Sequence, residues 1–196
     1  MSKDFGIVDG TAPQKACWNY NMQRTLSNGG AYIASPFNVN AGVDLPIGTP
    51  LYVDLTTRIA VVVKNADIIG GTSSAPEVNK GHFFQVGDAV YVSGTAVTIN
   101  AIVTTNTAYD VLTLSAACDG AIAGQSLENA VAAGATPTLK YSANALLGER
   151  VHNVEGGERI TAVGWIFQDV DTTYFAAPLS AKQIGILNAT GRFLLY

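Results

Sequence analysis

The chain has 196 residues, 48% of them hydrophobic, and a formal net charge of −4. That length and apolar content allow a buried core without covalent staples and exclude a wholly disordered chain. Only 13% of residues are charged, against roughly 25% in an average soluble domain, and the eleven Lys and Arg stand singly, which excludes the clustered basic footprint of a nucleic-acid binder.

Sparse charge also suits a surface covered by copies or partners, because interface cores are depleted in charge. The opening MSKDFGIVDG has neither the basic flank nor the apolar run of a signal peptide. No stretch reaches the ~18 uninterrupted apolar residues of a membrane span. The expectation is a protein kept in the cytosol where it is made, with neither nucleic acid nor membrane among its partners.

Residues 1–38 read as an N-terminal arm, since their apolar residues come in ones and twos with no period of 2 or 3.6. Yet Trp18, Tyr20 and Phe37 are large side chains that cost free energy if left in water. The arm therefore packs either on its own domain or on a partner. Residues 39–196 read as one β-rich domain.

Strand signals begin at Val43. Pro46, Gly48 and Pro50 surround a turn, and β-branched runs follow near 51–54 and 59–64. Gly87-Asp88 makes a tight turn before the alternating Val90 and Val92. AVTINAIVTTN and YDVLTLSAA continue as half-buried strands, most simply as a meander. The segment 121–135, AIAGQSLENAVAAGA, favours helix by composition but is bracketed by glycines, so a short helix or an Ala-rich loop is expected. Gly156-Gly157 reads as a hairpin turn, Pro178-Leu179-Ser180 as the start of a helical turn through Leu187, and RFLLY as a final apolar strand. The expected fold is all-β, an antiparallel sandwich or barrel with one or two short helices.

Candidates for chemistry are few. His82 and His152 lack carboxylates or cysteines at metal-ligand spacing, and Cys17 and Cys118 stand in unlike contexts, so no metal site, cofactor or disulfide is expected. Glycine pairs at 29–30, 70–71 and 156–157 read as turns, not phosphate loops. Asp169 and Asp171 share a strand face, but no third acid lies near them in sequence to make a calcium or glycosidase site. Tyr52, Tyr91, Tyr109, Phe83 and Phe84 would be an aromatic row if exposed, although burial is the default inside strands. The chain is not expected to be an enzyme.

Three phrases, GVDLPIGTPLYVDLTTRIAVVVKNADI, NKGHFFQVGDAVYV and YDVLTLSAACDGAIAGQSL, taken in order over residues 42–127, resemble the head fibre and capsid-decoration proteins of tailed phages, especially those infecting Bacteroidetes bacteria. The resemblance implies a non-enzymatic virion protein on the capsid surface, made in the host cytoplasm. It implies a homotrimer, to which the low charge and the RFLLY tail also point, standing on the major capsid protein or other shell proteins through the arm; the large apolar side chains of that aperiodic arm, Trp18, Tyr20 and Phe37, are the expected contacting residues. The alternative is a carbohydrate- or receptor-binding module of a phage tail or bacterial surface, which would need exposed aromatics or acidic loops at one end of the fold.

Overall fold

A computed structural model of the protein describes residues 24–25, 30–35, 38–160, 163–170, 179–190 and 193–195. Strands form where the apolar period is two. In β4 (Pro50–Asp54) and β5 (Ile59–Val62), Leu51, Val53, Ala60 and Val62 turn inward and are buried, while Tyr52 and Ile59 face out. The turn between these strands is set by Asp54, whose Oδ1 accepts the Thr56 amide at 2.8 Å, and by Arg58, which takes a left-handed φ of 61°. The preceding L-P-I-G-T phrase is a turn closed from Thr49 to the Pro46 carbonyl, with Gly48 at a φ of 85° as the third residue.

These strands belong to an eight-stranded sheet drawn from both halves of the chain. Its other members are β1 (Arg24–Thr25), β2 (Ala31–Ile33), β12 (Ala145–Leu147), β14 (Arg159–Ile160), β15 (Val163–Val170) and β16 (Phe193–Leu195). The order is β1-β15-β12-β4-β5-β2-β14, with β16 also on β15. Pairing is antiparallel except for β2 with β5 and β15 with β16. β3 (Val43–Leu45) and β13 (Val151–Val154) form a separate pair. Ile160 and Val163 stand near opposite ends of the sheet order yet are three residue steps apart, a reach of at most ~11 Å. The sheet therefore curls on itself around a core that includes Ala31, Ile33, Leu45, Leu51, Val62 and Leu147.

β2 lies within the segment expected to be an arm. Ala31 and Ile33 are 0% and 2% exposed in that core, and Tyr32 pairs with Ile59 on one side and Arg159 on the other. The β-rich body thus begins before residue 39, because alternating Ala31, Tyr32 and Ile33 fill a gap between β5 and β14. Two asparagines extend the ladders from outside the strands. Asn38 and Asn144 each donate to and accept from one strand residue, Val62 and Val53 respectively, as a backbone amide would.

Between β5 and β12 the chain leaves the sheet and closes a six-stranded barrel in the order β10-β7-β6-β11-β8-β9. Its strands are β6 (Asn65–Thr72), β7 (Ala75–Asn79), β8 (Ala89–Tyr91), β9 (Val97–Val103), β10 (Tyr109–Leu114) and β11 (Ser126–Asn129). Closure satisfies every strand edge, and Ile68, Val78, Ile99, Leu112 and Leu127 fill the interior. β8, β9 and β10 form the expected meander.

Three local expectations give way to tertiary pairing. The segment 121–135 holds β11 in place of a helix, since bonding to β6 and β8 closes the barrel and overrides the propensity of Leu and Glu. Gly70-Gly71 lies inside β6, just after a bulge between Ile68 and Gly70, and is not a turn. Gly156 and Gly157 do take positive φ, but their flanking strands pair with β3 and β2 and not with each other. Among the described residues the helix is α1 (Ala181–Ala189), opened as expected by Ser180, whose hydroxyl accepts the Gln183 amide. The all-β class is as expected from sequence.

Candidate binding face and polar cleft

The outer surface of the curled sheet has two unlike halves. Over β12, Leu146 is covered by Leu179 and Leu187 around α1 and by Phe193 and Leu195 of β16. Those two residues of the apolar tail are thus buried within the chain and offer no free surface for self-association. Over β4, β5 and β2 no described residue covers the sheet: Tyr52, Ile59 and Tyr32 are 37%, 38% and 46% exposed, and Leu55 in the intervening turn is 50% exposed. Register makes them a row, with Tyr32 beside Ile59 and Tyr52 beside Val61. Tyr52 also stacks on Tyr141, ring centroids 5.6 Å apart, which joins the open row to the covered half. A contiguous apolar row of this kind marks an interaction surface more often than a scattering of single exposed residues does.

A cleft of about 750 Å³ opens on the barrel where its β7–β8 loop meets Asn40 of the sheet body. Its floor is His82 beside Asp110 of β10. The His82 Nδ1 accepts the Phe84 amide at 3.2 Å, so in the neutral ring the proton sits on Nε2. That Nε2 is sealed from solvent and makes no hydrogen bond, although Asp110 Oδ2 lies 3.4 Å away. Asp110 Oδ1 is held by the Lys80 ammonium at 2.5 Å. Burial holds the His82 pKa below its ordinary value, Asp110 opposes this, and Lys80 reinforces it. The opposite wall is tied down by Lys64, whose ammonium reaches Gln85 at 2.8 Å and Asp88 at 2.7 Å. Gln85 in turn donates to Asn40 at 2.7 Å.

Two further polar groupings are structural. Asp44 accepts from Arg150 and the Asn153 amide and faces His152 at 3.1 Å, fixing Asn153 at a positive φ of 50°. Its carboxyl sits below the ordinary range, chiefly through the Asn153 amide and then Arg150. Glu128, fully buried in β11, accepts from Ser180 at 2.5 Å and Gln183 at 2.7 Å, while burial pushes its pKa up. Among the described residues no three His, Cys, Asp or Glu side chains converge as metal ligands. Cys118 is buried, and burial raises its thiol pKa, which leaves little reactive thiolate.

The sequence-predicted contact residues Trp18, Tyr20 and Phe37 lie outside the described residues, as do Cys17 and Asp171. Of the aromatics for which burial was the default, Tyr91 and Phe84 are buried at 8% and 3% exposure, whereas Tyr52 is exposed. Both histidines do meet a carboxylate, Asp110 and Asp44, at sequence separations that no spacing rule detects. Tyr32, within the segment read as the arm, faces outward from β2, and a three-residue strand is too short to show that direction in its sequence. No protein-family model, curated protein or solved structure matches the chain.

Proposed function

We propose that the chain is a structural virion protein, a head fibre or decoration protein bound to the outside of a phage capsid, which acts by protein–protein binding and not by catalysis. The observation that carries this reading is the open row of Tyr32, Leu55, Ile59 and Tyr52 on a sheet whose other half is already covered. An apolar row flanked by polar surface is what a docked partner buries, and tyrosine is enriched among residues that dominate interface energies. The resemblance of residues 42–127 to phage head proteins names the partner class as the major capsid protein or another shell protein. In the same reading the chain self-associates as a homotrimer, and Trp18, Tyr20 and Phe37 add anchors from the N-terminal segment.

The test mixes the purified chain with phage particles that lack it and follows co-sedimentation. Tyr32→Ser with Tyr52→Ser, and separately Trp18→Ala with Tyr20→Ala, are each expected to lower occupancy at least tenfold while the β-sheet circular dichroism is unchanged. Sedimentation equilibrium of the free chain is expected to give a trimer mass. Full occupancy by both double variants, or no binding by the unaltered chain, would overturn the reading.

A further inference from the structure

The cleft between the β7–β8 loop and Asn40 has a chemistry that the capsid reading does not use. Its charges cancel within the protein: Asp110 is matched by Lys80 and Asp88 by Lys64, with His82 neutral. An ionic ligand would find no unpaired charge there. Hydrogen-bonding capacity remains. Asp110 Oδ2 accepts no hydrogen bond and, unlike the His82 Nε2 behind it, is not sealed from solvent. Asn40 spends its carbonyl oxygen on Gln85 and keeps its amide hydrogens, and the Thr104 side chain stands exposed at the rim. Apolar contact is also available, because Val86 is 63% exposed and lies on the cleft with Ile102.

We propose that this cleft binds a neutral sugar ring. Ring hydroxyls both donate and accept, so one can donate to Asp110 Oδ2 while its neighbours accept from Asn40 and Thr104. The C–H face of the same ring covers Val86 and Ile102. The size fits, since small-molecule clefts run from roughly 300 to 1,000 Å³. The site is preorganised: Gln85 is fixed at three points, by Lys64, by Asn40 and through its own amide to Asp88, so little side-chain ordering is left for the ligand to bring about. This inference stands independently of the capsid reading, which rests on the apolar row of Tyr32, Ile59 and Tyr52.

Saturation-transfer NMR on the full chain tests it, with the methyl glycosides of glucose, galactose and N-acetylglucosamine at millimolar concentration and sodium sulfate as an anion competitor. At least one glycoside is expected to receive saturation, and sulfate is expected to leave that signal unchanged. Asn40→Ala and Val86→Ser, both at exposed positions, are each expected to weaken binding about fivefold or more, with unfolding unaltered and Val131→Ser as a distant control. Absence of transfer to all three glycosides, displacement by sulfate, or equal signals in both cleft variants would each overturn the proposal.

Discussion

Replacing Glu128 by Gln is the sharpest probe of how the barrel is joined to the sheet. The carboxylate is fully buried and accepts from Ser180 and Gln183, and neither donor has another choice. The Ser180 oxygen already accepts the Gln183 amide as the helix cap, so its proton points to Glu128. The Gln183 side-chain oxygen accepts the Ala143 amide at 3.0 Å, so its NH2 points to Glu128 as well. A glutamine at 128 carries one acceptor, and in either orientation its own NH2 meets a donor. One charge-assisted hydrogen bond worth about 1.5–3 kcal/mol is lost and one buried donor is stranded at about 1–3 kcal/mol. Relief of the buried charge, the same effect that raises the Glu128 pKa, offsets part of this. The expected net loss is about 2 kcal/mol, a fall in Tm of about 4–8 °C for a chain of this size. Urea unfolding at neutral pH followed by circular dichroism measures it. A Glu128→Gln protein as stable as the original would refute the double-acceptor role.

The remaining expectations concern the backbone, the chain terminus and pH. Gly71→Ala is expected to cost about 2 kcal/mol or more in thermal unfolding, because φ is 85° and a Cβ would collide with the Ala75 carbonyl; Gly87→Ala, also at positive φ but with open space around it, should cost about 1 kcal/mol, and equal losses would contradict the close approach. Removing residues 1–35 deletes Ala31 and Ile33 from the core and should abolish cooperative unfolding, whereas removing 1–23 should preserve it; a folded 36–196 fragment would show β2 to be dispensable. Asp44 and Asp54 are held below 3.8, so their contribution is complete above that value and is lost as pH falls through the lowered values, while Glu128, raised above 4.5, contributes in the opposite sense as pH falls toward 4.5. Urea midpoints should therefore drop below about pH 4, less steeply in Asp44→Asn, whereas between neutral pH and about pH 5 the gain from Glu128 is opposed by His82, held below 6.5, whose contribution is lost as pH falls; an acid limb equally steep in Asp44→Asn would contradict the role assigned to Asp44.

What was legible in the sequence was local. Leu51 and Val53 against Tyr52 announce a half-buried strand, Pro46 to Thr49 announces its turn, and Ser180 announces the helix start. The alternation that put Leu51 and Val53 inside also put Tyr52 outside, so its exposure could have been read from period 2 alone. What was not legible depends on pairing at long range. Ser126–Asn129 becomes a strand only because Asn65–Asp67 and Val90–Tyr91 are there to receive it. The composition of that segment, rich in helix formers, carries no trace of those partners. The cleft fails to show for the same reason: Asn40, the Lys80–His82 stretch and Asp110 come from three separate parts of the chain and are brought together by the fold. Residues 1–38 looked aperiodic as a whole, which hid the three-residue strand at Ala31–Ile33, too short to show a period.

The junction between sheet and barrel is tied by buried polar groups from both sides. Lys64, at 4% exposure, leaves the sheet with a charge that only Asp88 and Gln85 of the barrel satisfy. Glu128 leaves the barrel with a charge that Ser180 and Gln183, packed on the sheet, meet with hydrogen bonds and that the Lys182 ammonium also attracts. Ser180 also donates its backbone amide to Asn65 at the first barrel strand, and Lys182 reaches the Tyr91 hydroxyl at 2.9 Å. Removing Asp88 would leave the Lys64 charge buried without its counter-ion, a loss of about 3–5 kcal/mol, whereas Glu128 is held by hydrogen bonds from two neutral groups. Replacing Lys64 and Asp88 together by apolar residues could keep stability yet lose the orientation, since apolar contacts are non-directional. The same Lys64–Gln85–Asn40 chain forms one wall of the cleft. The cleft therefore exists only while the junction is closed, and anything that loosens the junction removes the cleft while leaving the apolar row of Tyr32 and Tyr52, which lies wholly within the sheet, in place.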